Sequence, residues 1–212
     1  ESQRRAQEAL ASGAVSDEIT PVTIHSRKGD IVVDVDDHPR AGITVEKLAA
    51  MRPAFKAHGT VTAGNSSGIN DGACVLVLTR ASVAQQRGLH SLVELVDFTK
   101  VGIDPDIMGY APKAAIEKIL DRNNLTKEDL GWIELNEAFA AQAVAVSRDL
   151  GLDPAKVNPL GGAIAWGHPI GATGAIITAR LINNMVKKGI EVGLSSMCIG
   201  GGQAVASLWR RV

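Results

Sequence analysis

The spacing of apolar and polar positions changes period several times along the 212 residues, and each change marks an element. Residues 1–13 read as a short polar helix closed by Gly13. Two extended pieces come next, 19–24 and 31–35, separated by the polar turn Arg27-Lys28-Gly29-Asp30. Residues 44–51 make a brief helix with Thr44 as N-cap; Lys47 stands where a capping box would carry Glu or Gln, so the cap is only partial. The segment 59–73 is rich in Gly, Ser, Thr and Asn and carries no core pattern, which makes it a loop suited to close approach by a ligand. Residues 73–78 are a continuous apolar run of strand length, 81–87 a short helix ended by Gly88, and 92–101 another strand.

The alternation is plainest in the second half. Pro112 opens a helix with Ile116, Ile119 and Leu120 on one face; Thr126 and Asp129 have the spacing of a capping box; residues 132–135 form a strand. A small-residue helix over 138–150 is closed by Gly151, a longer helix covers 171–188, and 192–198 and 203–209 are two strands around a glycine turn. Strands alternating with helices and ending in a tight pair predict an α/β layered fold with a mixed sheet. In such sheets function gathers at strand ends and the loops after them.

Charge and composition narrow the partners. Twenty-two Lys and Arg balance 23 Asp and Glu for a formal charge of -1, so no basic footprint for nucleic acid exists, and no 18-residue apolar run offers a membrane span. Two cysteines, Cys74 and Cys198, argue against a disulfide scaffold and suit a reducing compartment, the cytoplasm first. The chain opens on Glu1 in a helical pattern with no initiator Met and no targeting composition; this fits the middle of a longer protein, or an end exposed by processing. Asp34, Asp36, Asp37 and His38 match no metal-loop spacing and read as a solvated turn. His25, His38, His58 and His90 lie among polar residues and are expected at the surface, and Cys74 is expected in the core as part of the 73–78 strand.

Three residues stand at strand ends or glycine loops about one helix-plus-strand unit apart: Asn136, His168 and Cys198. Each has an ordinary structural explanation by itself, as a cap, a loop histidine and a core thiol. Together they make a chemical set. A thiol with an ordinary pKa of about 8.5 needs a neighbouring base to act near neutral pH. His168, between Gly167 and Pro169, is a candidate for that partner, and its loop leads into the N-terminus of a helix; Asn136 can hold a water or an oxyanion.

These stretches resemble the thiolase family. The resemblance rests on Asn136-Glu137-Ala138-Phe139, on the run from Gly161 through Gly167-His168-Pro169-Ile170-Gly171 to Gly174, and on Cys198-Ile199-Gly200-Gly201-Gly202. The loop Gly64-Asn65-Ser66-Ser67-Gly68-Ile69-Asn70-Asp71-Gly72-Ala73 is similar to the family's coenzyme A loop, and similarity extends over essentially the whole chain. The biosynthetic acetyl-CoA acetyltransferase branch is nearest in flavour, with 3-ketoacyl-CoA thiolases sharing most of the pattern. The resemblance implies a duplicated fold, of which residues 1–69 would be the rear of an inserted loop domain and 70–212 the C-terminal domain. It implies condensation of two acetyl-CoA molecules to acetoacetyl-CoA and the reverse thiolysis, with coenzyme A thioesters as substrates and no separate cofactor or metal. Cys198 would be the acid/base cysteine, His168 the activator of a nucleophilic cysteine, Asn136 the holder of a water, and Gly200 an oxyanion donor. Ser67, Ala138 and Phe139 would line the pantetheine channel, with Arg40 near the nucleotide end. The family's nucleophilic cysteine belongs to its N-terminal half, and neither Cys74 nor Cys198 occupies its place. The implied partners are therefore that half, and further copies in a homo-oligomer. A non-catalytic coenzyme A-binding fragment is the alternative, and a cysteine hydrolase is disfavoured because the order Asn, His, Cys is not papain-like.

Overall fold

The computed structural model describes residues 1–212. Helix α1 (Ser2–Ala11) is followed by the antiparallel hairpin β1 (Val22–Ile24) and β2 (Ile31–Val33), the short helix α2 (Val45–Ala49) and α3 (Ala81–Gln86). Then come β3 (Val93–Gly102), α4 (Ala111–Arg122), β4 (Trp132–Leu135), α5 (Ala140–Leu150), α6 (Ala163–Trp166), α7 (Thr173–Lys188), β5 (Val192–Ile199) and β6 (Gln203–Arg211). The four long strands form one sheet in the order β3-β6-β5-β4. β4 and β5 are parallel, and the other two pairs antiparallel, so the sheet is mixed.

Side-chain alternation along the strands builds a core on each face. Ile133, Leu135, Leu194, Ala204, Ala206 and Leu208 meet Ile116, Ile119 and Leu120 of α4 and Val146 of α5. On the opposite face Trp132 and Trp209 meet Leu181 and Met185 of α7. Gly193 is required there, because a Cβ would lie 2.7 Å from both Leu181 and Met185. Helices therefore cover both faces of the mixed sheet, in keeping with the α/β layered fold that the alternation predicted.

Local signals match closely. Thr44 accepts from Lys47 N, Thr126 and Asp129 form the capping box, and Gly151 takes the left-handed conformation that ends α5. Helices α5 and α7 each begin two residues later than the periodicity suggested. Asn158 adds a device no pattern announced: its side-chain amide accepts from Leu135 N at 2.8 Å and donates to Leu135 O at 2.7 Å. Together with the bridge of Ile133 to Val157, it extends the ladder beyond β4.

The apolar run 73–78 is not a strand. It pairs with no neighbour, and Val75 and Val77 are 86% and 91% exposed. A strand exists only through a ladder, and no partner lies beside this run. Leu76 and Leu78 instead edge an apolar cavity of about 310 Å³ with Leu95, Phe98, Ile177 and Trp209. Cys74, expected in the core, is consequently only partly buried. The hairpin β1–β2 is exposed along both strands.

Candidate active site

The parallel pairing of β4 and β5 builds the site. Leu135 lies beside Ser196, and Asn136 N donates to Ser196 O at 2.9 Å, so both strands run out at the same carboxyl edge. Asn136 and Cys198 stand at that edge and are 1% and 6% exposed. The strand after Cys198 turns back through Gly201 and Gly202. Gly202 has φ +81°, and a Cβ on it would come 2.4 Å from Ile103 O, so no other residue fits. Nothing lies within 4 Å of the corresponding position on Gly200, which leaves its surroundings open.

His168 arrives from the loop between α6 and α7. Its Nε2 lies 3.4 Å from Asn136 Nδ2 and its Nδ1 2.7 Å from Thr173 Oγ1. The Thr173 hydroxyl also lies 2.9 Å from Pro169 O, in the first turn of α7. Burial holds the His168 imidazole below the usual histidine range, and burial holds the Cys198 thiol above its usual value. The resting pair is thus a neutral imidazole and a neutral thiol near neutral pH. Asn136 Oδ1 is buried without a protein partner, leaving an acceptor at the site free for a water or a substrate group.

The small-residue loop closes one side. Ser67 N donates to Ala138 O at 3.0 Å, Ser66 pairs with Phe139, and Ile69 pairs with His168. The His168 amide donates to Gly68 O at 3.2 Å and to Asn70 Oδ1 at 3.1 Å. Phe55 stacks edge-on against Phe139 with ring centroids 6.3 Å apart. Ser67, Ala138, Phe139 and His168 are therefore joined in one arrangement. Arg40 is exposed, tied by its backbone amide to Gln3 Oε1 of α1 at 2.9 Å rather than to that loop.

His38 departs from its expected surface position. Its Nδ1 lies 2.8 Å from Ala165 O, and its Nε2 lies against Gly68, where a Cβ would come within 2.4 Å. A polar neighbourhood in sequence says nothing of a carbonyl brought in from α6. Thr173, Asn70, Glu137 and Asn158 also contribute, and spacing alone singles out none of them. Thr173, Glu137 and Asn70 sit inside the thiolase-like motifs, so their signal was present; Asn158 lies outside them, and its contacts exist only in the fold.

Two family models cover the chain: the thiolase C-terminal domain matches residues 89–211, and the thiolase N-terminal domain matches 1–82. This chain belongs to the thiolase family. It is 47% identical over 213 residues to the beta-ketothiolase BktB of Cupriavidus necator, covering 100% of this chain and 54% of that protein. It is 50% identical over 214 residues to the beta-ketoadipyl-CoA thiolase of Acinetobacter baylyi, covering 100% and 53%. The crystal structure of the Bacillus anthracis acetyl-CoA acetyltransferase superposes with a TM-score of 0.96 at 46% identity, over all of this chain and 54% of that one. This thiolase chain thus spans about half the length of the relatives it matches.

Proposed function

We infer that this chain supplies the proton-handling part of a thiolase site, which condenses two acetyl-CoA molecules to acetoacetyl-CoA and runs the reverse thiolysis. The observation that carries the reading is the Asn136–His168 contact of 3.4 Å at the edge where Cys198 emerges, with the Ser67 loop fastened alongside. His168, neutral because it is buried, takes the proton of a nucleophilic cysteine supplied from outside these 212 residues. Cys198 removes the α-proton of the second acyl group and returns one in thiolysis. Asn136 holds a water against the enolate oxygen, and the Gly200 amide donates to the thioester oxyanion. Ser67, Ala138 and Phe139 line the pantetheine path, and Arg40 meets the nucleotide end. The coenzyme A thioester is substrate, and the residues described ask for no other organic group. The free thiols Cys74 and Cys198 suit a reducing compartment such as the cytoplasm.

The test is thiolysis of acetoacetyl-CoA, followed by loss of its magnesium-enolate absorbance. The 212-residue chain alone should show none, and co-expression with the remaining half of a thiolase should restore it; turnover by the chain alone overturns the reading. Coverage of about half of each relative favours one rival, a coenzyme A-binding fragment without catalysis. That rival predicts coenzyme A binding by calorimetry and no restoration on co-expression.

A further inference from the structure

We propose that Glu137 is a positioning residue whose carboxylate anchors the loop that carries His168, and so sets the imidazole against Asn136. The proposal rests on the reading of His168 as the base of a thiolase site. Glu137 adjoins Asn136 in the chain, at the end of β4. Its Oε2 accepts from the Ser2 hydroxyl at 2.7 Å and from Ile164 N at 3.3 Å, and its Oε1 accepts from Asn158 Nδ2 at 3.2 Å. Ser2 Oγ in turn accepts from Gly162 N at 2.9 Å.

One carboxylate therefore gathers the segment 158–164 at both of its ends, four residues before His168. Gly162 lies against it so closely that a Cβ would come 2.3 Å from Glu137 Cδ. All three partners are donors, so both oxygens must accept. An amide in this position would turn an NH₂ toward a donor and lose at least one contact. The downstream side of His168 is held separately, by Gly68, Asn70 and Thr173. On the upstream side His38 holds Ala165 O and Gln3 holds Ile164 O, but Glu137 is the anchor that shares a peptide bond with Asn136, so through it both partners of the 3.4 Å contact are tied to one point.

A merely structural staple would hold α1 and affect stability alone. A positioning residue must also change what the imidazole experiences. The experiment is a histidine-imidazole NMR titration of the full 212-residue chain, with the His168 signal identified by its loss in His168→Asn. Glu137→Gln should loosen the loop, admit water to the half-buried ring, and move the His168 midpoint up toward the ordinary 6.5. Ser2→Ala, which removes the Ser2 links of Glu137 and Gly162 to α1 but keeps the Asn158 and Ile164 contacts, should lower stability and leave the midpoint in place. Glu137→Asp keeps the charge with one methylene less reach; it should fall between wild type and Glu137→Gln, and it serves if the Gln variant does not fold. A folded Glu137→Gln, or failing that a folded Glu137→Asp, with an unchanged His168 midpoint overturns the proposal, as does an equal shift in Ser2→Ala. The titration uses no coenzyme A, so it stands even if thiolysis is never restored by co-expression, an outcome that would count against the functional reading alone.

Discussion

Replacing Glu134 by Gln should stabilise this protein at neutral pH, with a gain that grows as pH rises from about 4.5 to about 8 and is constant above that. Glu134 lies on β4, 2% exposed, with Oε1 accepting from Trp132 Nε1 at 2.6 Å. Burial pushes its carboxyl up to about 8, against the smaller downward pull of the Arg180 guanidinium and of the Trp132 hydrogen bond. Arg180 is itself engaged, paired with Glu18 at 2.9 Å and lying 4.8 Å over the Trp166 ring. Between the ordinary carboxylate value of 4.5 and about 8, the folded chain holds a proton that the unfolded chain has released. The unfolded state binds fewer protons, so stability falls as pH rises through this window. The slope is about 1.4 kcal/mol per pH unit, and across about 3.5 units the loss approaches 5 kcal/mol, comparable to the whole stability of a small domain. Glutamine keeps an acceptor for Trp132 and does not titrate. Urea unfolding followed by circular dichroism at pH 5, 6, 7 and 8 should show Glu134→Gln gaining on wild type by roughly 1.4 kcal/mol per unit. Parallel profiles for the two proteins would refute the reasoning.

Other outcomes rest on contacts of the same kind. Gly162→Ala forces a methyl to 2.3 Å from Glu137 Cδ and should cost about 1–3 kcal/mol as the loop shifts, read by urea midpoint. Asn158→Ala leaves Leu135 N and O without their side-chain partners; a loss of about 2–4 kcal/mol is expected, with faster hydrogen exchange at the Leu135 amide. Burial raises both thiols, and Cys198 is the more deeply enclosed, so iodoacetamide near pH 8 should modify Cys74 first, as mapped by peptide mass. Ile116→Ala opens a cavity where the side chain is fully buried beneath the sheet and should cost about 2–5 kcal/mol by the same unfolding assay.

Which of these features could be read from sequence depends on the range of the forces involved. The strand at Trp132–Leu135, the Thr126–Asp129 box and the Gly151 cap are decided within a few residues, and all stand where local chemistry put them. The run 73–78 has the same local credentials as a buried strand, yet strandedness is a property of two segments, and its partner is not in this fold. Cys74 went out of the core with it. His38 shows the converse, a residue in polar company whose partner Ala165 lies 127 positions away. At the site, motif spacing singled out Asn136, His168 and Cys198 as a set, although only the step from His168 to Cys198 is a helix and a strand, α7 and β5; the step from Asn136 to His168 runs through α5, α6 and a loop. What it could not convey is how the His168 loop is suspended, since Asn70 and Glu137 act there through side chains that reach across the fold.

The unpaired segment also decides how the polypeptide would behave if cut. Residues 71–80 are almost entirely exposed and belong to no ladder. The N-terminal portion, 1–70, grips the C-terminal portion, 81–212, through other contacts: Ser67 on Ala138, Gly68 on His168, Arg5 on Pro154 O at 2.7 Å, His38 on Ala165 and Glu18 on Arg180. A single proteolytic nick in this stretch should therefore leave two fragments that co-elute as one particle, with the histidine loop still clasped by both. After such a cut the two portions would be held by these side-chain and backbone contacts, since the 71–80 joint contributes no ladder of its own.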